Sequence, residues 1–182
     1  MNYYHAASGA GSERVCAVMN TVYLSLGSNV GDREANLVRA IEELARRGVR
    51  IVRQSSFYET EPLEIRDQAW FLNCAVEAET SLTPQQLITV LLEIESEMGR
   101  HRAVKYGPRN IDMDILLFGA SVVDTPDLVI PHPRMAERRF VLAPMNEIAP
   151  DSRHPVLDKT IGELLNETAD KSLVRLWNRQ NK

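Results

Sequence analysis

Apolar and polar residues alternate over residues 21–26. Val22, Leu24 and Leu26 fall on one side and Tyr23 and Ser25 on the other, the two-residue period of a half-buried strand. Gly27-Ser28-Asn29 ends that run. Leu37, Ile41 and Leu44 then recur at helical spacing, with Asp32 placed as an N-cap and Gly48 to close the element. The pattern next predicts a second strand over 49–58, a charged loop over 59–69 interrupted by Pro62, and a third strand over 71–80. In that third strand Leu72, Cys74, Val76 and Ala78 share one face and Phe71, Asn73 and Ala75 the other. Thr83, Pro84 and Gln86 spell a capped helix start, followed by the apolar stripe Leu87, Leu91, Ile94 and Met98. A basic loop over 99–110 leads to a fourth strand over 111–118. Residues 121–123 and 128–130 suit a short hairpin, 135–142 a helical segment, and 160–168 a last helix.

Strand, helix, strand, strand, helix, strand is the β-α-β-β-α-β order of a ferredoxin-like fold, an α+β sandwich in the broad α/β class. Both helices are expected on one face of an antiparallel sheet, with the hairpin and C-terminal helices as additions. A single domain is predicted over 19–182. Residues 1–18 are rich in Ser, Gly and Ala, lack periodicity and read as a disordered tail, with Met19 as an alternative start. They contain no apolar segment like that of a secretory signal, and no run in the chain is long and apolar enough to span a bilayer; a cytoplasmic protein is expected. The net charge of −4 gives no reason for bulk attraction to nucleic acid or to an anionic membrane. Cys16 and Cys74 suggest neither a disulfide framework nor a thiolate metal site.

Chemistry concentrates around Ile111-Asp112-Met113-Asp114-Ile115. Strand periodicity puts the three apolar residues toward the helices and both carboxylates on the opposite face. Two like charges so close call for a cation between them, either nearby arginines or a hard divalent ion such as Mg²⁺ that keeps water and phosphate ligands. Arg100, Arg102, Lys105 and Arg109, with His101, crowd into the preceding loop. Carboxylates beside such a cluster suit phosphoryl transfer, in which metal ions and guanidinium groups neutralise phosphate charge. Gly27-Ser28-Asn29 lacks the glycine spacing and lysine of a Walker A loop, so any ATP site here is of another design. Phe71 beside Asn73 suits a flat heterocycle that needs stacking and edge hydrogen bonds, and suits a partly covered surface equally well. Glu95 could steady the basic loop or only carry surface charge, and His132 is rigidly framed by Pro131 and Pro133.

These motifs in this order resemble the 6-hydroxymethyl-7,8-dihydropterin pyrophosphokinase family, over residues 21–150. The strongest segment runs from Gly99-Arg100-His101-Arg102 through Lys105-Tyr106-Gly107-Pro108-Arg109-Asn110 to the aspartate pair and Phe118-Gly119. Gly27-Ser28-Asn29, Ser56-Phe57-Tyr58-Glu59-Thr60 with Pro62, Asn73, and Val129-Ile130-Pro131-His132-Pro133 with Arg138 add further matches. The resemblance implies transfer of diphosphate from MgATP to the hydroxymethyl oxygen of 6-hydroxymethyl-7,8-dihydropterin in folate biosynthesis, giving AMP and the pterin diphosphate. It implies two Mg²⁺ ions on Asp112 and Asp114, closure of Arg100 on the phosphates, further cationic contacts from Lys105 and Arg109, and ATP contacts from Arg102 and Arg138, with Arg100 and Arg109 catalytic beside the aspartates. It further implies nucleotide contacts from Glu95 and His132, and pterin contacts from Pro62, Leu63, Phe71, Asn73 and Phe140. Ser28 and Asn29 are read as structural or pocket-supporting. Lys105 stands where the family often has arginine, and Tyr106 where it often has tryptophan. A monomer is expected, with ATP and the pterin as its partners. The competing classes are another ATP-dependent small-molecule kinase, a ferredoxin-like RNA-binding module, and a fold-retaining scaffold without activity.

Overall fold

The computed structural model describes residues 18–62, 67–99 and 108–178. The tail predicted over 1–18 therefore lies, but for Val18, outside the described residues, as do Leu63, Arg100, Arg102, Lys105 and Tyr106.

The chain runs β1 (Asn20–Ser28), α1 (Arg33–Arg46), β2 (Val49–Gln54), β3 (Tyr58–Thr60), β4 (Phe71–Thr80), α2 (Pro84–Glu97) and β5 (Asp112–Phe118). Beyond these come the hairpin β6 (Val123–Thr125) and β7 (Leu128–Ile130), then α3 (Arg139–Ile148), α4 (Ile161–Glu167) and β8 (Val174–Leu176). The main sheet has the order β5-β1-β4-β3-β8, with β2 also on β4, and every pairing is antiparallel. This is the β-α-β-β-α-β core, enlarged.

The helix signals act as expected. Asp32 accepts from Ala35 N–H at the start of α1, and Thr83 with Gln86 forms the full capping box of α2 with Pro84 beside it. Gly48 supplies the positive φ that turns the chain from α1 into β2. Leu37, Ala40 and Leu44 of α1 and Leu87, Leu91 and Ile94 of α2 are fully buried against Val22, Leu24, Leu26, Leu72, Val76 and Ala78. Cys74 is a free thiol in this core, where burial pushes its pKa up to about 12.

Four expectations are corrected. The predicted second strand breaks after Gln54. There the Ser55 hydroxyl accepts from Ala75 N–H at 2.9 Å, and Ser56 turns aside to give its N–H and hydroxyl to Glu147 of α3. Glu59 and Thr60, read as loop, belong to β3, and β8 pairs with them from more than a hundred residues away. The segment predicted over 135–142 is a 3-10 turn at Met135–Glu137 followed by α3, which continues through Pro144 because Met145 and Ile148 are buried. The sheet face opposite α1 and α2, where the sequence reading placed no helix, is covered over part of its area. Ala75, Leu116 and Leu117 pack there with Val141, Leu142 and Met145 of α3 and Ile161 and Leu164 of α4. Leu116 joins this second core because a bulge opposite Tyr23 and Leu24 adds one residue to β5. Among the described residues no helix is long and apolar enough to cross a membrane.

Candidate active site

Strand register assembles the site. Asp112 lies opposite Gly27, Gly27 opposite Asn73, and Asn73 opposite Tyr58, one row across four strands. In the next row Asp114 lies opposite Ser25, which lies opposite Ala75. With neighbouring strands about 4.8 Å apart, the backbones of Asn73 and Asp112 stand about 10 Å apart. The residue between them has no side chain.

That glycine is required by contact. A Cβ on Gly27 would come within 2.5 Å of Asn73 Oδ1 and 3.8 Å of the Phe71 ring. Asn73 is 3% exposed, and its Nδ2 donates to Thr60 Oγ1 at 2.7 Å, so β3 holds the amide in place. Phe71 is half-buried on the same face, and Pro62 is buried at the end of β3.

The carboxylate side is held from below. β5 is a sheet edge, and the outward N–H of Met113, between the two aspartates, donates to Glu95 at 2.7 Å. Glu95 is 2% exposed, so a residue expected at the nucleotide serves at least as the anchor of the strand that carries the two aspartates. Arg109 bonds Asp112 through Nη1. Its backbone is locked twice by Asn29, whose Oδ1 accepts from Arg109 N–H at 2.7 Å and whose N–H donates to Arg109 O at 3.0 Å. Asn29 Nδ2 also donates to Gln68 Oε1 and Ala69 O. One buried amide thus joins the approach to β4 with the approach to β5, the supporting role read from the sequence.

His132 N–H donates to Leu116 O at 3.0 Å, and its Nδ1 accepts from Arg134 N–H at 3.2 Å. Burial first, then the positive charge of Arg138, push its pKa down to about 4, against a weaker opposing pull from Asp112. It is neutral at physiological pH. The Arg138 guanidinium lies 5.6 Å from the centre of the Phe140 ring. His132, Arg138 and Phe140 therefore stand together at the start of α3.

Among the described residues no group of three or more His, Cys, Asp and Glu could hold a metal by itself. Two carboxylates on one face do fit a magnesium ion that completes its shell with water and phosphate oxygens. The cationic side chains of Arg100, Arg102 and Lys105, and the contact of Leu63, fall outside the described residues. Sequence reasoning named Gly27 and Thr60 only as parts of family motifs; the role of Gly27 is legible only once Asn73 is beside it, and that of Thr60 only once it holds that amide.

Residues 23–150 match the 7,8-dihydro-6-hydroxymethylpterin-pyrophosphokinase family. The chain belongs to that family. It is 44% identical over 163 residues to the 2-amino-4-hydroxy-6-hydroxymethyldihydropteridine pyrophosphokinase of Bacillus subtilis, covering 89% of this chain and 93% of that one. The Methylorubrum extorquens protein of the same name is 48% identical over 134 residues, 73% of this chain and 85% of its own. The mitochondrial folate synthesis bifunctional protein of Pisum sativum is 46% identical over 127 residues, 70% of this chain but 25% of its own length. The crystal structure of Plasmodium falciparum HPPK-DHPS wild type superposes with a TM-score of 0.66 at 18% identity, over 82% of this chain and 45% of that one, a likeness of fold.

Proposed function

We propose that this pterin pyrophosphokinase family member transfers the diphosphate group of MgATP to the hydroxymethyl oxygen of 6-hydroxymethyl-7,8-dihydropterin, forming the pterin diphosphate and AMP in folate biosynthesis. The observation that carries the reading is the row Asn73–Gly27–Asp112, a heterocycle-binding amide and a phosphate-side carboxylate facing each other across a bare glycine.

Each residue has a task in that reaction. The Asn73 amide, fixed by Thr60, pairs with the edge of the pterin, while Phe71 and Phe140 border its ring and Pro62 closes one end. Asp112 and Asp114 would hold two magnesium ions, which when bound neutralise triphosphate charge and lower the pKa of the attacking hydroxyl. Arg109, with its backbone pinned by Asn29, is positioned to exchange its contact with Asp112 for a phosphate oxygen. Arg100, Arg102, Lys105 and Arg138 would supply further positive charge to the phosphates. His132 would meet the nucleotide as a neutral hydrogen-bonding group. In the step itself a bond forms between the hydroxymethyl oxygen and the β-phosphorus, the bond from that phosphorus to the oxygen bridging to the α-phosphorus breaks, and the hydroxyl proton passes to solvent. Positioning and electrostatics suffice, without a covalent intermediate.

The test is product identity by chromatography and mass spectrometry after mixing the protein with MgATP and the pterin. AMP and pterin diphosphate in equal amounts, abolished by EDTA, are expected. ADP as the nucleotide product, or no turnover by folded protein, would overturn the reading.

A further inference from the structure

Glu59 is the one acidic residue of β3, it is 9% exposed, and its side-chain hydrogen bonds among the described residues go to Arg33 and Arg175, neither of them assigned to a substrate. It accepts from Arg33 Nη2 at 2.9 Å through one carboxylate oxygen and from Arg175 Nε and Nη2 at 3.1 and 2.6 Å through the other. A carboxylate shared by two guanidinium groups is a strong, directional junction. Three separate elements meet in it: β3, the first residue of α1, and β8.

The two arginines reach further. Arg33 Nη1 donates to Trp70 O at 2.7 Å, and its guanidinium lies 4.9 Å from the Trp177 ring centre. Arg175 covers the Trp70 ring at 5.0 Å. Trp70 is the residue before Phe71, and Asn73 is three positions on. At the other end of the β3–β4 connection, Leu173 N–H donates to Glu61 Oε1 at 2.9 Å and Glu61 N–H donates to Leu173 O, immediately before the buried Pro62. Trp177 N–H closes the arrangement on Phe57 O at 2.8 Å. The described residues leading into and out of that connection are thus both tied to residues 173–177.

We propose that Glu59, together with Arg33 and Arg175, is a positioning unit for the acceptor half of the site: it holds Pro62 and Phe71 at the separation the pterin needs by bolting both to β8. The proposal rests on the pterin reading above. The aspartates lie three strands from β3, beyond Gly27, so the unit governs the acceptor and leaves the nucleotide half alone.

Arg175→Ala separates these ideas, because Arg175 is more than half exposed and its loss removes no core volume. Its expected effect is a rise of about tenfold in the KM for the pterin, with kcat at saturating pterin and the KM for ATP held within about twofold. Arg175→Lys, which keeps the charge but loses the two-pronged contact, should recover part of the loss. Trp70 and Trp177 are the only tryptophans of the chain, so emission from the variant should shift as the guanidinium leaves the Trp70 ring. An unchanged pterin KM, or equal rises in the pterin and ATP KM, overturns the proposal. Should Arg175→Ala not fold by circular dichroism, Arg175→Lys carries the same KM comparison. Wild-type protein that turns over no pterin would overturn the underlying reading; active wild type with an indifferent variant overturns this inference alone.

Discussion

Gly27 sets the width of the site. Alanine there would drive a methyl group into the Asn73 carbonyl, and that amide cannot retreat without leaving Thr60. Gly27→Ala is expected to raise the pterin KM about tenfold or more, because a displaced amide leaves a heterocycle edge unpaired. Circular dichroism should stay that of the wild type. An unaltered pterin KM would mean that Asn73 does its work from another rotamer. On the far side of the glycine, Asp112→Ala and Asp114→Ala should each lower kcat by roughly 10²–10³-fold or more, the scale on which preorganised charge stabilisation is lost. Their unfolding midpoints in urea should move little, since neither side chain belongs to the two apolar cores. Full magnesium-dependent turnover in either variant would sink the assignment.

At the scale of elements, β3 matters out of proportion to its three residues. On one side Tyr58 Oη donates to Glu147 of α3 at 2.8 Å, and burial, followed by that bond and the charge of Glu147, pushes the phenol up to about 12. On the other side Glu59 holds α1 and β8. Burial alone would raise its carboxyl, but the hydrogen bonds from Arg175 and Arg33 and their charges outweigh it and hold the group below its ordinary value. A carboxyl depressed in the folded state contributes stability that is complete above the unfolded-state pKa and is lost as pH falls through the folded one. The melting temperature of the wild type should therefore fall more steeply than that of Glu59→Gln as pH drops below the ordinary glutamate value of about 4.3. Parallel curves would show that the junction contributes no proton linkage. The same attachment explains why α3 lies where it does, since Glu147 takes hydrogen bonds from Ser56 and Tyr58 at the break between β2 and β3.

For the molecule as a whole, one sheet serves two cores. Leu24 faces α1 and α2, while Leu142 of α3 closes the second core; both are fully buried. Leu24→Ala and Leu142→Ala should each cost about 2–5 kcal/mol. Both are expected to shift a single urea transition, coincident by tryptophan fluorescence and circular dichroism. A separate early transition in Leu142→Ala would instead mark α3 and α4 as an independently melting layer.

Local and short-range determinants were legible in the residues. The capping signals of α1 and α2, the alternation in β1 and β4, the two-sided pattern at Asp112 and Asp114, and the family motifs each draw on neighbours a few positions apart, and each led to the right element or kinship. Pairings between distant segments were not legible. The three residues of β8 carry no periodicity of their own and become a strand only because Glu59 and the open edge of β3 receive them. The helical segment predicted over 135–142 ends short of Pro144, yet α3 continues past that proline because burying Met145 and Ile148 outweighs the missing hydrogen bond. Glu95 reads as a surface or nucleotide residue until β5 proves to be an edge whose amide it must satisfy. The sequence by itself determined α1, α2 and α4, the order of the core strands, the family and which residues are candidates for the site. Tertiary structure alone decided its width at Gly27, the anchoring of its two halves and the covering of the second sheet face, because these depend on contacts between residues whose spacing along the chain carries no signal.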